Sequence, residues 1–441
     1  MSSGVIPRFD ALIVGGGLAG SATAAALCKQ GLRPLLCETG LPSARRLAGE
    51  LMHPPSAERL ANLDLLEPLL AAGAAPVYGF VIFQGAQDSG TLLSYSEVPG
   101  CRTSSIALEH CVMSRTLLSA VAKRPGLTVW DNARVTAVDF ARSTPRATIL
   151  REGKTLQVEA PLVVSAEGRN SKIRNRAGIK SEQGPAFRML GWKIPGGRLP
   201  FPGYGHVFLG GRTATLAYQV SRTEVRVMFE NELGDGKRLP EDLVACLPQP
   251  FQADVRAVVG DTPPQVAKVY GLVPQRYTAR NLAVVGDAAG CVHPVTASGL
   301  AYCTADAVGL ARCMSNFDGS PARIAQALDR YERERHGPMR TRVALGPALV
   351  DAFTGQGYDM KLLRYGLFQY WTRRLSGRHR SVALLATHDQ SMKTMALEYA
   401  LVAAHAMGGL RQGIVPLSEM PGTLASLAKR TASHVWAEIR M

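Results

Sequence analysis

A short glycine-rich segment near the N-terminus constrains the fold of this chain more than any other feature. Residues 15–20 read Gly-Gly-Gly-Leu-Ala-Gly and follow an apolar run that ends at Val14. Glycines at this spacing form a tight turn between a strand and a helix and let a pyrophosphate approach the backbone. Glu38 ends the next apolar run, at the distance where a carboxylate reaches an adenosine ribose. The segment therefore predicts a βαβ unit that binds a dinucleotide.

A second segment narrows the choice of dinucleotide. The apolar run over residues 282–285 ends in Gly286 and Asp287, so a carboxylate is expected at a sheet edge, where ribose or ribityl hydroxyls donate to it. Pro294 then interrupts the chain, and Gly299 opens a helix. The N–H groups at the start of that helix favour negative charge, such as that of a reduced flavin. The two segments together indicate FAD.

Length and composition are typical of a globular protein. The chain has 441 residues, of which 46% are hydrophobic, and no uninterrupted apolar stretch of about 18 residues that would predict a membrane span. Eight cysteines are scattered without a C-x-x-C pair, which predicts reduced thiols, a cytoplasmic setting and no metal site. The net charge is +15, but the basic residues do not form a recognisable nucleic-acid-binding motif, so no nucleic-acid partner is expected.

The order of the expected elements gives an α/β fold class with an α+β insert. A Rossmann-type FAD-binding domain is expected over residues 1–180, interrupted by a substrate-domain segment at residues 76–105. Alternating apolar and polar residues predict an inserted antiparallel-sheet substrate domain over residues 181–280. The chain then returns to the FAD-binding domain over residues 281–340 and ends in C-terminal helices over residues 341–441.

Three motifs occur in an order that resembles the single-component FAD-dependent monooxygenases of the para-hydroxybenzoate hydroxylase type. They are the glycine segment with Glu38, the run Ala-Glu-Gly-Arg-Asn-Ser at residues 166–171, and residues 286–300. Residues 46–54 and 293–296 look most like the branch of squalene epoxidases and ubiquinone-pathway hydroxylases. The resemblance implies non-covalent FAD, NAD(P)H as a transient reductant, O2, and a lipophilic small-molecule substrate.

The same resemblance implies which residues contact the cofactor. Arg46 would contact the flavin or the pyrophosphate, and Arg115, in a helical run expected over residues 106–123, would lie over the phosphates. A surface position is the alternative for each arginine. The expected cofactor contacts are Gly15, Gly17, Leu18, Ala19, Gly20, Glu38, Thr39, Arg46, Arg115, Val135, Gly168, Gly286, Asp287, Pro294, Ser298, Gly299 and Leu300.

Two positions depart from the family pattern. Glu167 replaces the usual Asp of the second motif, which leaves the way a nicotinamide cofactor engages this motif open. Gly290 stands where many relatives have His, and Ala297 and Ser298 stand where relatives are glycine-rich. Flavin contacts along this loop are therefore expected to differ in detail.

The candidate catalytic residues are His293, Tyr218 and His206, and His53 is a further candidate for acid–base chemistry. A hydrogen-bonded core position is the alternative for each. By resemblance, a C4a-hydroperoxyflavin would transfer oxygen to an aromatic, isoprenoid or polyketide-like substrate. Hydroxylation of an activated phenol needs a base and epoxidation of an alkene needs none, so both reactions stay open.

Other flavoprotein classes share part of this pattern. A geranylgeranyl-type reductase has the first and last motifs, but its Tyr-x-Trp-x-Phe-Pro signature is missing here. The Trp-x-Trp-x-Ile-Pro signature of flavin-dependent halogenases is present only in part, as Gly-Trp-Lys-Ile-Pro over residues 191–195. A non-catalytic flavin-binding protein is a third alternative.

A basic cluster precedes the last helices and bears on where the protein acts. It contains Arg373, Arg374, Arg378 and Arg380, and residues 381–410 after it are helix-prone and rich in Ala, Leu and Met. One interpretation is a peripheral contact with an anionic membrane, on its inner face, through which a lipophilic substrate enters. The alternative is an ordinary solvated basic surface with a core helix behind it.

Overall fold

The fold is taken from a computed structural model that describes residues 6–40, 47–233 and 241–439, with the side chains of residues 433–439 left out. The strands of the described residues are β1 Ala11–Val14, β2 Pro34–Cys37, β3 Ala75–Val77, β4 Gly79–Phe83, β5 Thr91–Ser94, β6 Ser105–Ala107, β7 Thr128–Trp130, β8 Ala133–Asp139, β9 Arg146–Arg151, β10 Lys154–Glu159, β11 Leu162–Ser165, β12 Ser181–Pro195, β13 Gly205–Phe208, β14 Thr215–Gln219, β15 Glu224–Asn231, β16 Gln265–Pro274, β17 Thr278–Ala279 and β18 Leu282–Val284.

The helices complete the description of the elements. They are α1 Leu18–Lys29, α2 Pro54–Asn62, α3 Leu66–Ala71, α4 His110–Val121, α5 Lys172–Arg176, α6 Glu241–Ala245, α7 Phe251–Val259, α8 Gly299–Cys313, α9 Pro321–Thr354, α10 Tyr358–Arg373, α11 Leu375–Leu385, α12 Met392–Ala406 and α13 Met420–Ile439. Short 3-10 turns lie at Tyr95–Glu97, Gly286–Ala289, Pro294–Thr296, Met407–Leu410 and Leu417–Glu419.

The nucleotide-binding unit is a six-stranded sheet in the order β17-β18-β11-β1-β2-β7. All neighbouring strands are parallel except β17 and β18. The residues of β1, β2 and β11 are all buried, as expected for parallel strands covered on both faces. The expected fold class, a Rossmann-type sheet with an additional β-rich layer and C-terminal helices, is confirmed.

Glycines allow α1 to approach the first strand closely. A Cβ atom at Gly20 would lie 1.8 Å from the carbonyl oxygen of Gly15, so any side chain there would push the helix off the sheet. Gly15 has a φ of +106°, and a Cβ atom there would lie 2.5 Å from the carbonyl oxygen of Ala166. The first and last glycines of the segment therefore serve the packing of the βαβ unit.

The second large sheet has seven strands in the order β16-β12-β15-β14-β13-β4-β5. The sequence predicts an antiparallel sheet, but β13 and β4 are parallel. β4 and β5 come from the upstream segment over residues 76–105, and β4 reaches β13 through a long crossover rather than a hairpin, which permits parallel pairing. This upstream segment therefore joins the same sheet as residues 181–280; the domain boundaries themselves stay a prediction.

Two helical expectations differ from the structure. The helix expected over residues 106–123 begins only at His110, because residues 105–107 form β6 and pair with β3. The Met52 N–H also donates to the Ile106 carbonyl and the Leu108 N–H to the Glu50 carbonyl, so tertiary pairing overrides local helix propensity. Further along the chain, α9 continues without a break across residue 340, where the sequence places a domain boundary.

The C-terminal helices cover one face of the seven-stranded sheet. Side chains from β4, β5 and β13 pack against α9, α10, α11 and α12 in one hydrophobic cluster. A small cavity of about 90 Å³ remains inside this cluster. The opposite face of the sheet packs against α6 and α7.

Candidate functional site

One large cavity of about 1260 Å³ lies between the six-stranded and the seven-stranded sheets. Its volume exceeds that of most ligand pockets, which range over roughly 300–1,000 Å³, so it can hold a dinucleotide together with a second small molecule. It begins at the carboxyl ends of β1 and β2, passes the start of α8, and ends against β12, β14 and β15.

The start of α1 forms one end of the cavity. Gly17 is the N-cap residue of α1, and no side chain caps this helix. Gly17, Leu18 and Ala19 line the cavity, so the first N–H groups of α1 lack helical partners beside open space. A Cβ atom at Gly17 would meet no protein atom within 4 Å. This geometry fits a pyrophosphate bound at a helix N-terminus.

Glu38 lies at the same end of the cavity with its carboxylate held in place. Its Oε2 accepts the N–H of Gly16 at 2.5 Å, and its Oε1 accepts the hydroxyl of Thr39 at 3.2 Å. Glu38, Thr39 and Val135 all line the cavity. A carboxylate oxygen has further lone pairs beyond these bonds, so Glu38 can still accept from ribose hydroxyls.

The turn at Gly286 is held by a buried ion pair that the sequence did not reveal. Asp306 in α8 accepts the N–H of Gly286 at 2.8 Å, and the guanidinium of Arg335 lies 2.8 Å from both of its carboxylate oxygens. Both side chains are 4% exposed. Asp287 follows the turn, lines the cavity, and lies 3.6 Å from Nε of Arg169. The ion pair thereby fixes the backbone that presents Asp287.

The loop before α8 forms the middle of the cavity wall. Pro294, Ser298, Gly299 and Leu300 line it, and no side chain caps α8. His53 supports this loop from behind, because its Nε2 donates to the carbonyl of Thr296 at 2.9 Å. Burial lowers the pKa of His53 to about 4, although the bond to Thr296 raises it, so the ring stays neutral at neutral pH.

Gly290 of this loop cannot carry a side chain. Its φ is +124°, and a Cβ atom would lie 2.1 Å from Cε of Met339 in α9. The glycine therefore suits a backbone conformation that side chains rarely adopt, at a point where α9 packs against the loop.

The candidate histidines are both engaged by protein groups. His206 Nδ1 donates to the carbonyl of Tyr204 at 3.0 Å and its Nε2 accepts the N–H of Phe201 at 3.2 Å, while burial lowers its pKa to about 4. His293 Nδ1 accepts the N–H of Val295 at 3.2 Å, and its Nε2 lies 3.1 Å from a Glu230 carboxylate oxygen. The hydrogen bonds of His206 argue against the acid–base role expected for it, because neither nitrogen is available to a ligand.

Tyr218 belongs to a buried charged cluster at the substrate-sheet end of the cavity. Its hydroxyl donates to Oε2 of Glu50 at 3.2 Å, and Arg226 donates to both Glu50 oxygens at 2.9 and 2.8 Å. Glu50 and Arg226 are 0% exposed. Burial, and next the Glu50 carboxylate, raise the pKa of Tyr218 well above its usual value. The sequence identified Tyr218 but neither of its partners.

Glu167 uses its longer side chain within its own motif. Its Oε2 accepts from the hydroxyls of Ser165 and Ser171 at 3.1 and 2.7 Å and from the N–H of Ile173 at 3.0 Å. That oxygen therefore stabilises the start of α5 and is less available to a nicotinamide ring.

Most of the expected site residues line this one cavity, and four require separate comment. Gly20 and Gly286 pack behind the wall and do not line it. Arg115 is exposed on α4 and does not line the cavity either; Ser114 does. Arg46 lies outside the described residues. The expected residues that line the cavity are Gly15, Gly17, Leu18, Ala19, Glu38, Thr39, Val135, Gly168, His206, Tyr218, Asp287, His293, Pro294, Ser298, Gly299 and Leu300.

Over residues 6–40, 47–233 and 241–439, no three His, Cys, Asp or Glu side chains are grouped so that they could hold a metal ion.

The chain is similar to known flavoproteins over most of its length. Residues 8–344 match the family model of the FAD binding domain. The chain is 26% identical over 410 residues to squalene epoxidase erg1 of Schizosaccharomyces pombe, covering 87% of this chain and 86% of that protein. It is 28% identical over 381 residues to the ubiquinone hydroxylase UbiL of Rhodospirillum rubrum, covering 80% of this chain and 84% of that protein.

A solved structure has the same fold. It is the crystal structure of the p-nitrophenol 4-monooxygenase PnpA of Pseudomonas putida DLL-E4, with a TM-score of 0.73 and 18% identity, covering 87% of this chain and 99% of that chain. The resemblance drawn from the motifs is confirmed.

The cluster around Glu50 makes a prediction about stability. Arg226→Met leaves the Glu50 carboxylate buried without its cation, so we expect the free energy of unfolding in urea to fall by about 3–5 kcal/mol. Adding Glu50→Gln removes the stranded charge and should recover most of that loss. Arg312→Met is the matched control, because Arg312 and Glu334 form a half-exposed pair that contributes only about 0–1 kcal/mol. Equal losses in Arg226→Met and in the double variant would contradict this account.

Proposed function

The chain belongs to the FAD binding domain family and is an FAD-dependent monooxygenase, and we propose that it uses NAD(P)H and O2 to hydroxylate or epoxidise a lipophilic substrate. The observation that carries this proposal is the continuity of the large cavity. One end has the helix start and carboxylate that suit a dinucleotide, and the other end opens on an apolar surface of the seven-stranded sheet. A bound substrate would therefore lie next to the reactive ring of the cofactor.

We assign the parts of FAD to the cavity wall as follows. The pyrophosphate would accept from the free N–H groups at the start of α1, and the adenosine ribose would donate to Glu38. Asp287 would accept from ribityl hydroxyls, and the isoalloxazine ring would lie beside residues 294–300 at the start of α8. When bound, FAD supplies the redox and oxygen chemistry, while the chain binds it, orients it and excludes water.

The reductant would approach from the basic rim of the cavity. Arg134, Lys172, Arg176 and Lys268 are exposed, and all four line the cavity near the second motif. Such a rim attracts the phosphates of NAD(P)H. Since the described residues contain no second glycine-rich dinucleotide motif, the nicotinamide cofactor would bind transiently.

The substrate chamber favours an apolar ligand. Phe80, Met189, Leu216 and Met228 line the cavity at the sheet, with the hydroxyl of Tyr218 as a hydrogen-bonding group among them. The adjacent 90 Å³ cavity shares Phe80 as a wall and is lined almost entirely by hydrocarbon side chains. It is smaller than the roughly 150 Å³ cavity that holds benzene in an engineered protein, so it suits the end of a chain rather than a ring. These walls support a substrate with a hydrocarbon tail.

Tyr218 is the catalytic candidate that we retain, in an orienting role. Tyr218 lines the cavity, and its hydroxyl donates a hydrogen bond to Glu50. For a phenolic substrate, Tyr218 would orient the substrate hydroxyl; an alkene substrate would need no such group. We propose His293 and His53 as positioning residues of the loop before α8.

We further propose a weak contact between the exposed segment over residues 372–376 and an anionic membrane. Two of the four arginines in the basic cluster predicted from the sequence are not available for a membrane contact. Arg378 forms a bidentate pair with Glu97 at 2.6 and 2.8 Å, and Arg380 pairs with Glu398 at 2.6 Å. Arg373 and Arg374 are exposed beside Leu375, which is 56% exposed. In the part of the chain that the structure describes, no helix combines the length and hydropathy of a membrane span.

Gly17→Ala should weaken FAD binding while leaving the fold intact. The backbone at Gly17 has a φ of −66°, which alanine adopts, and the added methyl meets only the space assigned to the pyrophosphate. We expect FAD affinity to fall by about 1.5–3 kcal/mol, because the methyl group would keep the pyrophosphate from at least one charge-assisted hydrogen bond to the backbone N–H groups. Gly309→Ala, inside α8 with open space around it, is the matched control and should keep its FAD. A wild-type dissociation constant for FAD in the Gly17→Ala protein would contradict the assignment.

Substrate turnover provides the test of the activity itself. With a panel of lipophilic quinones, quinolines and alkenes, an accepted substrate should stimulate NAD(P)H oxidation together with O2 uptake in equal amounts. Substrate-dependent oxidation that proceeds unchanged without oxygen would identify a reductase instead. Failure of the whole panel to stimulate either reaction would favour a flavin-binding protein without turnover.

The membrane contact is tested by cosedimentation with vesicles of phosphatidylserine and phosphatidylcholine. Each arginine near such a surface contributes about 1 kcal/mol, so Arg373→Gln with Arg374→Gln should weaken binding about thirtyfold at low salt. Arg222→Gln with Arg280→Gln changes the net charge equally at two other exposed positions and should bind like wild type. If both double variants weaken binding alike, the contact is only a general charge effect.

A further inference from the structure

Arg342 of α9 is a buried cation at the cavity wall, outside the sequence motifs described above. It lines the large cavity and is 4% exposed. Its Nη1 donates to the carbonyl of Gly290 at 3.0 Å, and its guanidinium carbon lies 4.4 Å from the ring centroid of Tyr302. A Cβ atom at Gly299 would lie 4.0 Å from its Nη2. The charge of Arg342 therefore lies beside the start of α8.

Among the described residues, no carboxylate forms an ion pair with Arg342, although its charge acts on Asp306. Asp306 is already paired with Arg335, and Asp287 lies 3.6 Å from Arg169. Nε of Arg342 is buried and has no hydrogen-bond partner in the described part of the chain. Arg59 also lies near the start of α8, where its Nη1 donates to the carbonyl of Ala301 at 3.4 Å, and the charge of Glu58 acts on it. Once Asp306 is counted with Arg335, Asp287 with Arg169 and Glu58 with Arg59, the positive charge of Arg342 is left over.

A buried, uncompensated cation is costly unless an anion shares its site. The start of α8 adds to the same potential, because no side chain caps it and its free N–H groups favour negative charge. Two electrons and one proton added to the neutral isoalloxazine ring leave one negative charge on it. Reduced FAD therefore carries the negative charge that would neutralise Arg342.

We propose that Arg342 balances the charge of the reduced cofactor and thereby raises the reduction potential of the bound FAD. The inference rests on the ring position beside α8 proposed above, and it holds whatever the substrate is. Removing the cation should disfavour reduced FAD relative to oxidised FAD, while a cation of different shape should largely restore the balance.

The test compares three variants under anaerobic titration against a reference dye. Arg342→Gln keeps an N–H donor for Gly290 but loses the charge, so its potential should fall by at least about 30 mV, a tenfold change for a two-electron couple. Arg342→Lys keeps the charge and should recover more than half of that shift. Arg312→Gln removes an arginine from the last turn of α8 and should leave the potential unchanged.

An unchanged potential in Arg342→Gln with FAD bound would overturn the proposal and leave Arg342 as a brace between α9 and the loop. An equal drop in Arg342→Lys would do the same, because it would mean that shape rather than charge matters. If a variant binds FAD too weakly for the dye titration, the ratio of its dissociation constants for oxidised and reduced FAD gives the same quantity. These measurements need no substrate, so they are independent of the proposed oxygenation.

Discussion

The rest of the structure depends on two helices that begin without a capping side chain at one shared cavity. α1 follows β1, and α8 follows β18 through the Gly286 turn and the loop after it, so both start at the same edge of one parallel sheet. Their free N–H groups need partners that the protein does not supply. An anionic ligand can accept hydrogen bonds from the N–H groups at both helix starts. The cavity therefore fits FAD better than a neutral molecule.

Buried ion pairs hold the loops of the cavity wall in place. Asp306 and Arg335 hold the Gly286 turn against α8, and Glu50 and Arg226 join the loop before α2 to β15. Neither pair is strong evidence for stability by itself, since burying charges costs free energy that their attraction only partly offsets. Their value is positional: each fixes a loop that contributes to the site, and breaking one would move that loop.

The sequence predicted the parts of the site that depend on local patterns. The glycine segment, Glu38 and the Gly286–Asp287 turn follow from spacing within single βα units; Gly15, Gly17, Glu38 and Asp287 line the cavity, whereas Gly20 and Gly286 pack behind its wall. Glu50 and Arg226 are 176 residues apart, and neither has a local signature, so only the fold brings them together. The same limit applies to Arg342, whose role depends on α9 closing over a glycine. For His206, the sequence pattern does not show that backbone groups of Phe201 and Tyr204 occupy both ring nitrogens in the folded chain.

A crystal structure of the protein loaded with FAD tests the central claim most directly. The account predicts the pyrophosphate within about 3 Å of the N–H groups at the start of α1 and the isoalloxazine ring beside Gly299 and Leu300. It also predicts the ring edge facing the chamber that contains Tyr218. FAD bound with its pyrophosphate away from α1, or with its ring outside the cavity between the two sheets, would contradict the account.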